Sequence, residues 1–147
     1  MNKIAIGCDH GGFGLKEFLK NYLTEKGYKV EDFGTYSAVS CDYPLIGHSL
    51  ARAVSRGKFR KGILICKTGI GMAIIANKLK GVRSGVCNNL KQASSSRLHN
   101  DTNVLSLAAK YVTQNNAKKI VSVWLKTRAL KGRHGKRVGQ IKKLELR

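Results

Sequence analysis

"GILICKTGIGMAI", residues 62–74, fixes the architecture of the whole chain. Gly62-Ile63-Leu64-Ile65 is a short, continuous apolar run, as expected of a strand buried on both faces. Thr68-Gly69-Ile70-Gly71 turns the chain, and Met72 to Leu79 continues as a short, mostly apolar helix. A buried strand, a glycine-rich turn and a helix form the repeating unit of a parallel sheet. Cys66 stands where the strand ends and the turn begins.

The same alternation extends in both directions. Lys3 to Gly7 reads as a first strand, and Leu15, Phe18, Leu19, Tyr22 and Leu23 form a helical stripe stopped by Gly27. Tyr28 to Phe33 is a second strand. Pro44 suits the first turn of a helix carrying Ile46, Leu50, Ala53 and Val54, with Gly57 at its end. Val82 to Cys87 and Val104 to Ala108 are strands on either side of a weaker helix, Leu90 to Leu98. Ala117, Ile120, Val121, Trp124 and Leu125 give the cleanest stripe, with Thr113 as its cap. The expected fold is α/β: a three-layer Rossmann-like sandwich around a five-stranded parallel sheet, with a protruding C-terminal helix. Residues 1–127 form that domain. Residues 128–147 form a basic segment whose Val138, Ile141 and Leu144 make a stripe too thin to hold a helix alone. It must dock on its own domain or on another subunit.

The 147 residues carry 28 Lys and Arg against 8 Asp and Glu, a net charge of +20. Such a charge favours anionic partners: nucleic acid, phosphate esters or an anionic surface. The basic tail has no aromatic residue to stack on bases, so a specific nucleic-acid partner is not expected. No apolar run is long enough to span a bilayer, and the first residues lack a signal-peptide layout, so a cytoplasmic location is expected. Cys8, Cys41, Cys66 and Cys87 are scattered without zinc-site spacing. Free thiols are expected, three of them as apolar filler.

Ligands of open parallel sheets bind beyond the carboxyl ends of the strands. Cys8-Asp9-His10 follows the first strand there, and Cys66 with the turn 68–71 follows the third. Successive amides at that turn suit an anion. A P-loop is excluded because Gly-Lys-Ser/Thr is missing. A dinucleotide fingerprint is excluded because Ile74 takes the third glycine position and Asn88-Asn89 stands where an acid is needed. His99-Asn100-Asp101 precedes the fifth strand, at the wrong end, and would have to reach over by a loop. A plain helix end followed by a turn is the alternative. No spacing calls for a metal.

Ile65-Cys66-x-Thr68-Gly69-Ile70-Gly71 with Ala76-Asn77-Lys78 resembles the core motif of type B ribose-5-phosphate isomerases. Gly7-Cys8-Asp9-His10, Asp42-Tyr43-Pro44, His99-Asn100-Asp101-Thr102-Asn103 and Gly132-Arg133-His134 with Arg137 resemble further motifs of that family, in the same order. The family includes galactose-6-phosphate and allose-6-phosphate isomerases. The resemblance implies aldose–ketose isomerisation of a phosphosugar with no metal or cofactor. It implies Cys66 as the base, Thr68 and the Gly69–Gly71 amides as oxyanion donors, and His99 as the ring opener. Asp9, Tyr43 and Asn100 would contact the sugar. His10, Arg133, Arg137, His134 and Lys110 would hold the phosphate. It further implies strand order 2-1-3-5-4 and a homodimer or tetramer with the active site at the subunit interface. Met72 stands where other relatives carry a catalytic glutamate. Lys67 replaces a small residue and, beside Cys66 in sequence, is expected to favour its thiolate. Lys110 replaces an arginine. Two other readings are an inactive supporting subunit and, from another class, a basic RNA-binding protein.

Overall fold

The structure is a computed structural model that describes residues 2–145. The chain runs β1 (Lys3–Cys8), a single 3-10 turn (His10–Gly12), α1 (Phe13–Glu25), β2 (Lys29–Asp32), α2 (Tyr43–Ser55), β3 (Gly62–Cys66), α3 (Ile70–Ala76), β4 (Ser84–Val86), α4 (Leu90–Asn100), β5 (Val104–Ala108), α5 (Gln114–Lys126) and α6 (Arg133–Leu144). The five strands are parallel in the order β2-β1-β3-β5-β4, the order the resemblance implied.

Strand alternation divides the core in two. Ile6, Ile63, Ile65, Leu105 and Leu107 face α1, α4 and α5, where Leu19, Leu23, Ala93, Ile120 and Trp124 cover them. Ala5, Leu64, Cys66 and Val104 face α2 and α3, covered by Leu50, Val54, Met72 and Ala76. Both faces of β1, β3 and β5 are thus buried, which explains their nearly continuous apolar runs; Ser106, the polar exception in β5, pairs its hydroxyl with that of Ser84 at 2.8 Å.

The two edge strands are shorter than their sequence patterns. β2 keeps Lys29–Asp32 and β4 only Ser84–Val86, because each pairs along one side alone. The helix after Cys66 begins earlier than its apolar stripe, since Gly69 caps it in a left-handed conformation (φ 76°). It stops at Ala76 because Asn77 turns its side chain onto the backbone of Ser84, accepting from its N–H at 2.7 Å and donating to its carbonyl at 3.0 Å. Thr113 caps α5 as expected, accepting from the Asn116 N–H at 3.1 Å.

The segment after Thr127 lies on its own chain. The Leu130 N–H donates to the Leu98 carbonyl, Val138 is buried against α4, and Glu145 accepts from the Gly81 N–H. Ile141 and Leu144 stay exposed on α6, lining a groove with β4 and α4.

Candidate active site

The sheet changes winding direction between β1 and β3, so their carboxyl ends open a crevice. In register, Cys8 pairs with Ile65 and Cys66 with Ala108, which sets the three strand exits side by side. The Asp9 N–H donates to the Ile65 carbonyl, the Ala109 N–H to Cys66 and the Lys110 N–H to Lys67. Asp9, Cys66 and Lys110 therefore leave the sheet at one end, tied by backbone bonds.

Asp9 caps the 3-10 turn, its Oδ1 accepting from the Gly12 N–H at 3.1 Å, and the residue is nearly buried. The capping role and a place in the crevice coincide. The turn sits hard on β3: a Cβ on Gly12 would meet Ile65 at 2.7 Å. His10 accepts the Cys41 N–H on Nδ1 at 3.2 Å, which fixes the tautomer with the proton on Nε2. Lys67 lays its aliphatic stem over Gly11, whose Cβ would come within 2.9 Å of Lys67 Cγ and 3.4 Å of Asp9 Oδ1.

Cys66 Sγ accepts the Gly69 N–H at 3.2 Å. The left-handed backbone at Gly69 is what aims that amide back at the sulfur. Only glycine reaches this conformation without strain, and a Cβ there would also lie 3.2 Å from the Leu107 backbone. Thr68 Oγ1 accepts from the Ile70 N–H at 3.2 Å. Tyr43 reaches the same turn from the start of α2: a Cβ on Gly71 would lie 2.6 Å from its ring and 3.0 Å from its hydroxyl. Asp9, His10, Tyr43, Cys66, Thr68, Gly69, Gly71 and Lys110 thus belong to the carboxyl end of the sheet.

The other cysteines differ in chemistry. Burial pushes the Cys8 thiol up to about 12, against the lowering effect of Lys16, and burial also raises Cys87. Both stay protonated and inert. Cys66, 5% exposed, is the one whose sulfur takes a turn amide at a strand exit.

The remaining expected site residues are elsewhere. No loop carries His99 across the sheet. It occupies the last turn of α4, and Asp101 ends that helix in a left-handed conformation (φ 46°). The chain then enters β5 from the amino end, where the Gly62 N–H donates to the Asn103 carbonyl. Four residues of strand separate that level from Cys66, roughly 13 Å. The alternative of a plain helix end was therefore the correct one for local structure. His99 stacks on His134 with ring centroids 4.3 Å apart and 14° between planes. Arg133, His134 and Arg137 occupy the first turns of α6. Partial loss of solvent, then the charges of His99, Arg133 and Arg137, lower the His134 imidazolium below its usual range.

Two arginines that periodicity did not single out build this second cluster. Arg97 donates to Asp101 at 2.8 Å, to the Thr127 carbonyl and to the Thr102 carbonyl. Arg83 donates to the Asn100 and Asp101 carbonyls and to the Asp101 carboxylate at 3.3 Å. A third unanticipated residue, Lys16, is fully buried at the carboxyl end, bonded to Asp32 and the Thr35 carbonyl. Nothing in a helical stripe announces a buried lysine. Its partner, Asp32, sits at the end of an edge strand 16 residues away.

Among the described residues no three His, Cys, Asp or Glu side chains are grouped to hold a metal, and no helix is long and apolar enough to cross a membrane.

Known proteins carry the same arrangement. Residues 4–141 match the family described as Ribose/Galactose Isomerase. The chain is 46% identical over 147 residues to ribose-5-phosphate isomerase B of Escherichia coli K12, covering 100% of this chain and 99% of that one. It is 39% identical over 127 residues to the D-erythrulose-4-phosphate isomerase of Pectobacterium atrosepticum, 85% of this chain and 83% of the other. A solved ribose-5-phosphate isomerase B from Mycoplasma genitalium with bound ribulose-5-phosphate superposes with a TM-score of 0.94 at 36% identity, over 98% of this chain and 96% of that one. The matched span, the shared sheet order and the full-length likeness carry one conclusion: the chain belongs to the ribose/galactose isomerase family.

Proposed function

We propose that the protein interconverts ribose 5-phosphate and ribulose 5-phosphate, with Cys66 as the proton-transferring base. The observation that carries this reading is the Gly69 N–H held on Cys66 Sγ at the carboxyl end of β3, beside Asp9, His10 and Tyr43. The thiolate, not the thiol, is the useful base. The thiolate removes the proton from C2 of the open-chain aldose. The electron pair becomes the C1–C2 double bond of an enediolate, and charge passes to O1. Return of the proton from the Cys66 thiol to C1, with the O2 proton passing to O1, gives the ketose and restores the thiolate. With the Gly69 amide on Cys66 Sγ and the Ile70 amide on Thr68 Oγ1, the Gly71 amide and the Thr68 hydroxyl are left to meet the developing charge, where such donors contribute about 3–4 kcal/mol each. Asp9 and Tyr43 contact the sugar hydroxyls.

One chain holds only half of this apparatus. The ring opener His99, with Asn100, and the phosphate ligands Arg133, His134 and Arg137 stand at the opposite end of the sheet. A two-fold pair that sets the corner formed by the end of α4 and the start of α6 in one copy against the carboxyl end of the sheet in the other completes two sites at once. Residues 128–147 would then dock on the neighbouring subunit as well as on α4. The exposed apolar side chains Ile70, Ile74, Ile141 and Leu144 are surface that such a pairing can bury. His10 and Lys110 remain on the Cys66 side to meet the phosphate.

The sugar is tested by a kinetic panel of ribose 5-phosphate, D-erythrulose 4-phosphate, allose 6-phosphate and galactose 6-phosphate on the isolated chain. The expected result is the highest kcat/KM for ribose 5-phosphate. A higher value for the four-carbon substrate would favour the reading suggested by the Pectobacterium relative. Activity only in the presence of a related second chain would make this a supporting subunit.

A further inference from the structure

The amino end of the sheet also holds a cavity that the isomerase chemistry does not use. Its volume is about 720 Å³, within the usual range for small-molecule sites. Lys3, Arg60, Lys61, Arg83, Arg97 and Arg128 line it, and Asp101 is the one acid in its wall. That carboxylate is already taken by Arg83 and Arg97. No histidine or cysteine lines the cavity among the described residues. The His99–His134 stack opens on a different, smaller pocket against α6.

The cations in the wall differ in what holds them. Arg83 and Arg97 are fixed by the carbonyls at the end of α4. Lys61 donates to the Leu125 carbonyl at 3.1 Å and lies 5.5 Å from the Trp124 ring. Arg60 and Arg128 have no hydrogen bond or ion pair among the described residues. Repulsion among these charges is left standing. Its mark is on Lys61, which burial and then the Arg97 charge lower from 10.5 to about 8 despite the opposing pull of Asp101. Guanidinium groups around a recess whose one carboxylate is already paired are suited to phosphate oxygens, two per planar fork.

We infer that this cavity is a second anion site, which takes a small molecule bearing several phosphate groups, apart from the site that turns over the sugar. Binding brings negative charge against Lys61 and so favours its ammonium. Near pH 8, where that group is only partly protonated in the free protein, binding takes up a proton.

The test uses inorganic tripolyphosphate and titration calorimetry on the full chain at physiological ionic strength and pH 8, in two buffers of different ionisation enthalpy. Wild type is compared with Lys3→Glu/Arg60→Glu, two exposed positions outside the isomerase apparatus. A control, Lys91→Glu/Lys119→Glu, has the same net charge at positions away from the cavity. The expected results are net proton uptake, at least tenfold weaker binding in the cavity variant, unchanged affinity in the control, and unchanged kcat/KM for the sugar in both. Arg133→Ala should leave tripolyphosphate affinity within about twofold. Equal weakening in the cavity variant and the control would reduce the effect to overall charge and overturn the inference. So would loss of binding in Arg133→Ala, which places the anion at the sugar phosphate. Absence of binding in wild type overturns it too, as does binding of a short single-stranded RNA in preference to tripolyphosphate.

Discussion

At the scale of single residues, the proposed chemistry rests on the sulfur of Cys66, which accepts the amide of Gly69. Replacing Cys66 with serine leaves a hydroxyl too weakly acidic to serve as the base. The expected loss in kcat is about 10³-fold, the order found for removal of a general base, with KM and melting temperature nearly unchanged. Steady-state kinetics with a thermal melt checks both halves, and substantial turnover in the serine variant would remove Cys66 from its role. Gly69→Ala probes the backbone instead. A side chain at φ 76° costs about 1–2 kcal/mol, and contact with the Leu107 backbone adds to it. Denaturant unfolding should show that loss, and kcat should fall because the amide swings off the sulfur. A stable variant with full activity would mean the turn adjusts without consequence. The residue types at this turn were legible in the sequence. The distinction between Cys66 and Cys8 was legible only in part: position at a strand exit suggested it, but burial and an amide partner are what separate them.

At the scale of elements, the loop between β2 and α2 holds the crevice together. Its Gly34 carbonyl accepts from the Cys8 N–H, its Thr35 N–H donates to the Cys8 carbonyl, and Cys41 holds His10. Lys16 of α1 anchors the start of that loop from beneath, through Asp32 and the Thr35 carbonyl. Asp32→Ala leaves the Lys16 ammonium buried without its carboxylate, and the expected cost is about 3 kcal/mol. Partial burial acts to raise the Asp32 carboxyl, but Lys16, Lys20 and the Gly34 N–H outweigh it and hold the group below its ordinary value of 3.8. The contribution is therefore full above pH 3.8 and disappears as pH falls through the lower folded value. Acid unfolding of wild type and Asp32→Ala should converge in that range. A constant gap between the two curves would place the stabilisation elsewhere. The helices and central strands were legible as stripes and apolar runs. The ends of β2, β4 and α3 were not, because edge pairing and the Asn77 side chain set them.

At the scale of the molecule, a shared site predicts complementation. Cys66→Ser and His99→Ala are each expected to be inactive alone. Mixed, exchanged and assayed together, they should recover about a quarter of wild-type activity, since half of the random pairs are mixed and each holds one intact site. Recovery at that level, tracking subunit exchange by mass spectrometry, supports two-fold sharing. No recovery after verified exchange would return His99 to a role within its own chain. A local sequence pattern records which side of an element is buried and how long it runs. That was enough to determine the α/β class, the order of elements, which residues stand at the carboxyl ends of β1 and β3, and the turn that follows Cys66. It could not determine that His99, His134, Arg133 and Arg137 gather at the far end of the sheet, or that Lys16 lies buried on Asp32. Those facts depend on which elements pack together and on charges brought close from distant positions, and only the folded chain sets such distances.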